Sequence, residues 1–317
     1  MQNLTEDGAK TFHPVILILF LGLIVFFGLI GFTCLGTFLV FSLSGYEMER
    51  IPELAGTATG DPSFRFPLLL LQGIVSLGAF VVAPIFYIRT ILRKNVSDFF
   101  TLPGNAAKAF GLVLLITISF MVINSVTIEW NQNIELPESL SWFEEMAQQR
   151  EGLAQQLTEY LTEFDGFAYF LTAFFVIAII PAVGEELLFR GLFQNLFNQW
   201  FKNPHVAIWV AAFAFSAFHY QFYGLIPRML LGALFGYLYF WSGRLTLAMF
   251  AHFVNNGFTI IMLYLYKSGT TDYNIEEQES LPGMATLIFF LILTVGLLYY
   301  FKKDNQTGKN ERVAEDI

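Results

Sequence analysis

The chain contains almost no cysteine and little charge. Cys34 is its one cysteine in 317 residues, which excludes an intramolecular disulfide and a CxxC metal site. Charged residues make up 14% of the sequence, whereas a soluble domain carries about a quarter. The formal net charge of -9 argues against a nucleic-acid partner, because phosphate binding requires clustered Lys and Arg.

What the chain has instead is apolar sequence: 55% of its residues are hydrophobic and 37 are Phe. Several stretches are long enough to cross about 30 Å of hydrocarbon at about 1.5 Å per residue. They lie at 14–44, 67–90, 106–127, 167–187, 205–222, 226–243, 245–266 and 283–301. We therefore predict an all-α polytopic membrane protein with about eight transmembrane helices, the first retained rather than cleaved as a signal peptide.

Basic residues are distributed unevenly in this topology. With the N-terminus inside, twelve Lys and Arg residues fall on the inner side and five on the outer side. Since basic residues accumulate on the cytoplasmic side, we predict an integral protein of a bacterial plasma membrane with both termini in the cytoplasm. The predicted organisation is 1–135 for N-terminal transmembrane helices, 136–165 for an extramembrane helix, 166–301 for a catalytic membrane core and 302–317 for a cytoplasmic tail.

The long connection after the third span has its own pattern. Met146, Leu153, Leu157, Tyr160 and Phe164 recur at three, four and seven residues between Glu and Gln, which predicts one amphipathic helix. Two interpretations are open. The helix could rest on lipid headgroups, which we favour, or it could be a lid over a cavity.

The fourth predicted span ends in a charged cluster, Glu185, Glu186 and Arg190. Charge beside hydrocarbon costs roughly 2.5–3.5 kcal/mol even on insertion scales, so it is rarely present without a partner or a function. Glu186 and Arg190 are four apart and can pair on a helix, whereas Glu185 points about 100° away. Pro181 and Gly184 loosen the helix, and a freed backbone at this depth needs protein or a watered cavity beside it. A purely architectural ion network is the alternative.

Two later spans each carry polar residues in an apolar context. His219 follows an alanine-rich run, and His252 and Asn256 are four apart, which puts them on one helical face. Each of these residues could be an ordinary core residue with a satisfied hydrogen bond. Three polar sites in three successive apolar regions, however, can satisfy one another only by converging, and convergence is typical of a catalytic site. Small side chains near His219 allow the close helix approach that this requires.

Together these motifs resemble the CPBP family of intramembrane proteases, which includes the type II CAAX prenyl endopeptidases and the bacteriocin-processing and abortive-infection proteins. The resemblance covers about 100 residues, from the fourth predicted span through the seventh. It rests on EExxxR (Glu185, Glu186, Arg190), FxxxH (Phe215, His219) and HxxxN (His252, Asn256).

The resemblance implies an endopeptidase acting on a peptide or protein, of which the best-known class is prenylated near its C-terminus. Glu185 and His219 would activate a water, His252 and Asn256 would stabilise the oxyanion, and Arg190 would hold the second glutamate. These roles suit the residue types, because a carboxylate in a dry site is a suitable general base and Asn and His donors suit an oxyanion hole.

The sequence leaves metal dependence open. Glu185, His219 and His252 could bind zinc with a position left for water, yet the compact HExxH spacing is absent. We favour a mechanism without a metal and predict no definite cofactor. Zn is the candidate for a metal-dependent mechanism.

Two functions from other classes remain. A proton-coupled transporter would also carry intramembrane Glu, His and Arg, but the two halves of the sequence show no repeated pattern. A non-catalytic immunity or binding scaffold would keep the polar cluster for structure. For the protease, the inward direction of the fourth span predicts a cavity reached from the cytoplasm or laterally from lipid.

Overall fold

The computed structural model describes residues 12–44, 61–275 and 281–315 of the chain. Within these ranges every regular element is a helix and no strand occurs, which confirms the all-α prediction. Residues 1–11 and 316–317, on which the predicted location of the termini depends, lie outside the described residues.

The helices follow one another in a simple order. They are α1 (Pro14–Ser44), α2 (Pro62–Leu92), α3 (Ala106–Gln132), α4 (Ser141–Leu161), α5 (Phe167–Phe201), α6 (Pro204–Ala217), α7 (Leu225–Ser242), α8 (Leu245–Lys267) and α9 (Met284–Glu315). In the described part of the chain, seven of them, all except α4 and α6, are long and apolar enough to cross a membrane. The protein is therefore an integral membrane protein. The predicted domain boundaries stay a prediction, and α9 passes through residue 302 without a break.

The predicted fifth span is shorter than expected. In place of a helix over 205–222, α6 has 14 residues and rises only about 21 Å. It begins at Pro204, where the side chain of Asn203 caps the first amides, and it ends at Ala217 in a turn that contains Tyr220 in the left-handed region. The count of about eight spans is thus seven long helices and one short one within the described ranges. Because α6 runs antiparallel to α5 and α7, the alternation of directions is kept.

Helix α5 is longer than predicted. The apolar run was expected to end at residue 187, but the helix continues to Phe201 and stops where Lys202 takes a left-handed conformation. Arg190, Gln194 and Asn195 interrupt the apolar run, yet all three are fully buried. Arg190 and Gln194 donate to backbone carbonyls of α7, and Asn195 donates to a tyrosine hydroxyl of the same helix. These polar residues face a neighbouring helix rather than lipid. Helix α5 can therefore continue past the apolar run, because their polar groups are bonded to α7.

Small residues allow the helices to approach closely around α5. A Cβ added at Gly184 would lie 2.8 Å from the Cβ of Phe80 on α2. A Cβ added at Gly232 on α7 would lie 3.2 Å from Ala212 on α6. The predicted role of the alanine-rich run in close packing is therefore confirmed.

The N-terminal end of α1 and the C-terminal part of α9 lie on the same side of the helix bundle. Three contacts join elements on that side, namely Tyr87 with Leu17 at 2.9 Å, Lys108 with Asp304 at 2.6 Å and Thr246 with Thr101 at 3.0 Å. On the opposite side, ion pairs after α4 join Asp165 to Arg65 at 3.1 Å and Glu163 to Lys267 at 3.2 Å. We call this second side the α4 side.

Helix α4 is amphipathic in an arrangement that suits a membrane surface. It spans Ser141–Leu161, shorter than the predicted 136–165. Trp142, Leu153 and Leu157 on its apolar face are 64%, 52% and 44% exposed, while Glu144 and Glu151 on the polar face contact the segment between α6 and α7. An apolar face turned outward fits contact with lipid, in agreement with the interfacial interpretation.

Candidate active site

The site is organised around a buried ion pair in the middle of α5. Nη1 of Arg190 donates to Oε1 of Glu186 at 2.7 Å, and both side chains are fully buried. Nη2 of the same arginine donates to the carbonyl of Gly232 at 2.9 Å. The guanidinium also lies over the rings of Phe215 at 4.5 Å and Phe235 at 5.5 Å. The predicted pairing four residues apart is present, but the pair lies in the middle of a helix and not at the end, because α5 continues to Phe201.

Glu186 also binds His252 from α8. Nδ1 of His252 lies 2.9 Å from Oε1 of Glu186. A carboxylate only accepts hydrogen bonds, so Nδ1 carries the proton and the Nε2 of a neutral His252 is an acceptor. The ring of Phe235 stacks on the imidazole with centroids 5.3 Å apart. Glu186 is thus a fixed, buried support for the imidazole.

Glu185 is placed differently from its neighbour. Its Oε2 lies 3.9 Å from Nε2 of His252, and its side chain is 14% exposed. Within the described residues this carboxylate accepts no hydrogen bond, so it is available to a water or a substrate. Both glutamates thus lie beside the imidazole of His252, each near a different ring nitrogen.

Asn256 links His252 to α5. Its Nδ2 lies 3.2 Å from Nε2 of His252 and 3.2 Å from the carbonyl oxygen of Ile177. In an α-helix that carbonyl would receive the amide hydrogen of Pro181, which proline lacks. The predicted freed backbone is therefore satisfied by protein, through Asn256. Because a carbonyl can only accept, this bond also fixes the amide nitrogen of Asn256 as the atom that faces the imidazole.

His219 lies in the turn after α6, not within a span as predicted. The reason is the early end of α6 at Ala217, which leaves His219 exposed in the turn. Nδ1 lies 2.9 Å from the carbonyl of Phe215 and must donate to it, so Nε2 of a neutral His219 is a free acceptor. The Phe215 ring contacts both imidazoles, with centroids 5.2 Å from His219 and 5.8 Å from His252. No hydrogen bond joins Glu185 to His219 in the part of the chain that the structure describes.

The turn that carries His219 is held from two directions. Asn131 at the end of α3 donates to the carbonyl of Phe222 at 3.2 Å and accepts from the amide of Ile226 at 2.9 Å. From α4, Glu151 accepts from Gln221 at 3.1 Å. Helices outside the motifs therefore position this part of the site.

Sequence reasoning missed three parts of the site. Phe235, which stacks on His252, lies in an apolar run that gave no signal. The carbonyl of Ile177 could have been found from Pro181 four residues later. Arg228 is one of the five basic residues counted on the outer side, and it donates to Gln221 in the turn that carries His219. No spacing in the sequence connects it to the site.

The candidate zinc ligands do not form a metal site. No group of three His, Cys, Asp or Glu side chains among the described residues could hold a metal ion. The bond from Nδ1 to Glu186 leaves Nε2 of His252 as the nitrogen that could bind a metal, but Nε2 faces the amide nitrogen of Asn256, which is not a metal ligand. The donor set Glu185, His219 and His252 therefore does not fit zinc in this arrangement.

The structure bears on one of the two expected routes into the site. A cavity reached from the cytoplasm or laterally from lipid was predicted, and the cytoplasmic route assumed that α5 ends near the glutamates on the side of the termini. The helix continues past Glu186 toward that side, whereas the turn with His219 contacts α4 on the other side. The exposed edge of the site is therefore the edge next to α4.

Comparison with known proteins matches the same part of the chain. The family model described as "Type II CAAX prenyl endopeptidase Rce1-like" matches residues 167–258, which begin with α5 and end within α8. The "Uncharacterized protein YpbD" of Bacillus subtilis (strain 168) is 30% identical over 82 residues, or 25% of this chain. The match covers 39% of that relative's length, and no solved structure matches the chain. Residues 167–258 thus match the Rce1-like type II CAAX prenyl endopeptidase family, in agreement with the resemblance drawn from the sequence motifs.

Proposed function

We propose that this protein is an intramembrane endopeptidase in which Glu185 and His219 activate a water that attacks a peptide carbonyl. The observation that carries the proposal is the division of roles between two adjacent glutamates. Glu186 is fully buried and bound to Arg190 and His252, while Glu185 is partly exposed and accepts no hydrogen bond among the described residues. An architectural network would use both carboxylates, whereas a catalytic site keeps one available.

In the proposed mechanism these two free acceptors hold one water molecule. One O–H of the water donates to the carboxylate of Glu185, and the other donates to Nε2 of His219, whose Nδ1 is committed to the carbonyl of Phe215. As the water oxygen bonds to the carbonyl carbon, its proton passes to Glu185. When the C–N bond breaks, the same proton moves from Glu185 to the leaving amine, and the carboxylate is restored.

His252 and Asn256 are the candidates for oxyanion stabilisation. With a proton on both ring nitrogens, His252 stays bound to Glu186 through Nδ1, and Nε2 becomes a donor. Nε2 and the Asn256 amide are 3.2 Å apart, so both then donate toward one acceptor, and a developing oxyanion supplies it.

We assign no step to a metal, since the donor set does not fit zinc. Chelation tests this part of the proposal. Activity should survive a strong chelator, and elemental analysis of the purified protein should find no stoichiometric zinc. Loss of activity on chelation with recovery on zinc addition would contradict it.

The substrate proposed from the family is a peptide or protein whose cleaved end lies near a prenyl group or another membrane anchor. Its path to Glu185 runs along the α4 side, because the turn with His219 is exposed there. The excess of basic residues on the side of the termini assigns that side to the cytoplasm of a bacterial plasma membrane. The α4 side then faces outward.

Hydrolysis by the purified protein tests the proposal. Proteoliposomes would be incubated with internally quenched peptides that carry a prenylated cysteine three residues before the C-terminus. We expect cleavage by the wild-type protein and loss of at least about 99% of the rate in Glu185→Gln and His219→Asn, as for other positioned acid–base groups. Glu145→Gln, which changes an exposed carboxylate on α4, is the matched control. Wild-type rates in both site variants would overturn the assignment, as would a transport activity without cleavage.

A further inference from the structure

Arg228 is a second arginine beside the site, and its hydrogen bonds are incomplete. It lies in the first turn of α7 and is partly buried. Nη2 donates to Oε1 of Gln221 at 2.9 Å, while Nη1 is buried without a hydrogen-bond partner. A buried charged donor without a partner is costly, so such groups usually have a ligand or a function.

The turn between α6 and α7 is shaped around this guanidinium. A Cβ added at Gly224 would lie 2.7 Å from Nη2 and 3.1 Å from Nη1 of Arg228. Glycine therefore admits the flat guanidinium against the backbone of the turn. On the far side, Gln221 donates to Glu151 of α4 at 3.1 Å, and the charge of Glu151 also attracts Arg228. One edge of the guanidinium is thus fixed, while Nη1 makes no hydrogen bond.

Arg228 also differs from Arg190 in what it can reach. Arg190 is fully enclosed and bound to Glu186 and to a backbone carbonyl. Arg228 is bonded instead to Gln221, which lies two residues after His219 in the same turn. A group held by Arg228 would therefore lie beside the turn that carries His219.

We propose that Arg228 binds a carboxylate of the substrate next to the cleaved bond. This inference rests on the proposed function and adds a specificity determinant to it. A planar guanidinium with a free N–H edge matches a carboxylate better than a neutral amide does, and charge-assisted bonds of this kind are about twice as strong as neutral ones. The carboxylate can be the C-terminus of a peptide or an acidic side chain near that end.

Binding of matched peptides tests the assignment without turnover. The first probe is a fluorescent peptide with a prenylated cysteine and a free C-terminal carboxylate. The second is its C-terminal carboxamide, and the third is a carboxamide whose last residue is Glu. All three would be titrated against Glu185→Gln in detergent. We expect Kd for the neutral carboxamide to be at least about tenfold higher than for the free acid, and recovery by the third peptide would identify side-chain carboxylates as ligands too.

Variants of Arg228 then test whether this residue causes the preference for the free acid over the carboxamide. Arg228→Gln, added to Glu185→Gln, should raise Kd of the free acid to that of the carboxamide and leave the carboxamide unchanged. Arg150→Gln on α4 is the control, because Arg150 is exposed, and it should keep the preference. Arg228→Lys retains the positive charge but not the planar guanidinium, so it should keep only part of the preference for the free acid.

The outcomes separate this inference from the proposed function. Equal Kd values for the acid and both carboxamides, or no measurable binding, would overturn the role of Arg228, and this holds even where Arg228→Gln fails to fold. A preference that persists in a folded Arg228→Gln would also overturn it. Cleavage of all peptides at one rate would support the proposed protease and contradict the role of Arg228 in specificity. Selective binding without cleavage would support the role of Arg228 and contradict the proposed protease.

Discussion

Nδ1 of His252 lies 2.9 Å from Oε1 of Glu186, the oxygen that also receives Arg190 at 2.7 Å. One carboxylate oxygen thus joins α5 to α8 and sets the tautomer of the imidazole. The neighbouring Glu185 lies 3.9 Å from the other nitrogen of the same ring. Two adjacent glutamates therefore bracket one histidine, with one acting as a support and the other remaining available.

The buried pair should be sensitive to removal of one partner. Arg190→Leu leaves the carboxylate of Glu186 buried without its cation, so we expect the free energy of unfolding to fall by about 3–5 kcal/mol. Unfolding in mixed micelles, followed by circular dichroism, would measure this. The double variant Glu186→Leu, Arg190→Leu should recover much of the loss, and a double variant no more stable than Arg190→Leu would argue against an electrostatic origin.

Gly184 should tolerate no side chain. Its added Cβ would meet the Cβ of Phe80 at 2.8 Å and the backbone carbon of that residue at 3.1 Å, so Gly184→Ala forces α2 away from α5. We expect a loss of about 1–3 kcal/mol together with reduced cleavage. Gly22→Ala on α1 is the control, because nothing lies within 4 Å of its added Cβ. Equal thermal stability of the two variants in detergent would contradict the packing described for α2 and α5.

Asn256 should be required for activity rather than for folding alone. Asn256→Leu removes the donor to the proposed oxyanion and the bond to the carbonyl of Ile177. We expect kcat to fall about 10²–10³-fold with a smaller change in KM, measured on the quenched peptide. Thr259→Val, which removes a hydroxyl bonded only to the backbone of the same helix, should retain the wild-type rate. An active Asn256→Leu would exclude the oxyanion role.

The bridge from α4 has a predictable pH dependence. Burial raises the pKa of Glu151 above its ordinary value of 4.5, despite the opposing charge of Arg228. Well below pH 4.5 the carboxyl group is protonated in both the folded and the unfolded chain. As the pH rises from 4.5 through the raised pKa of the folded protein, the unfolded chain releases this proton more readily than the folded protein does. The free energy of unfolding therefore falls over this range. Glu151→Gln keeps an acceptor for Gln221, so this variant should match the wild-type protein in acid and exceed it in stability at neutral pH. A wild-type protein that is more stable than Glu151→Gln at neutral pH would contradict this prediction.

Contacts within one helix were predicted more reliably than the ends of the helices. Spacing alone placed Glu186 against Arg190 and His252 beside Asn256, because both pairs are four apart and depend only on helical geometry. The limits of α5 and α6 were wrong because they depend on tertiary contacts. Gln194 and other polar residues extend α5 by bonding to α7.

His219 and Arg228 show what local patterns omit. The position of His219 follows from the early end of α6, which is set by a turn clamped from α3 and α4. The approach of Arg228 to the site depends on Gly224 and on the bridge through Gln221. Such contacts join segments far apart in sequence and leave no periodic signal.

The central claim is that water activated by Glu185 hydrolyses a peptide bond. Cleavage of the prenylated peptide in ¹⁸O-labelled water, with the products analysed by mass spectrometry, tests it most directly. The account predicts that wild-type proteoliposomes release a product with one ¹⁸O atom in the new carboxylate, and that Glu185→Gln of equal thermal stability releases almost none. Formation of the labelled product by Glu185→Gln at the wild-type rate would contradict the account.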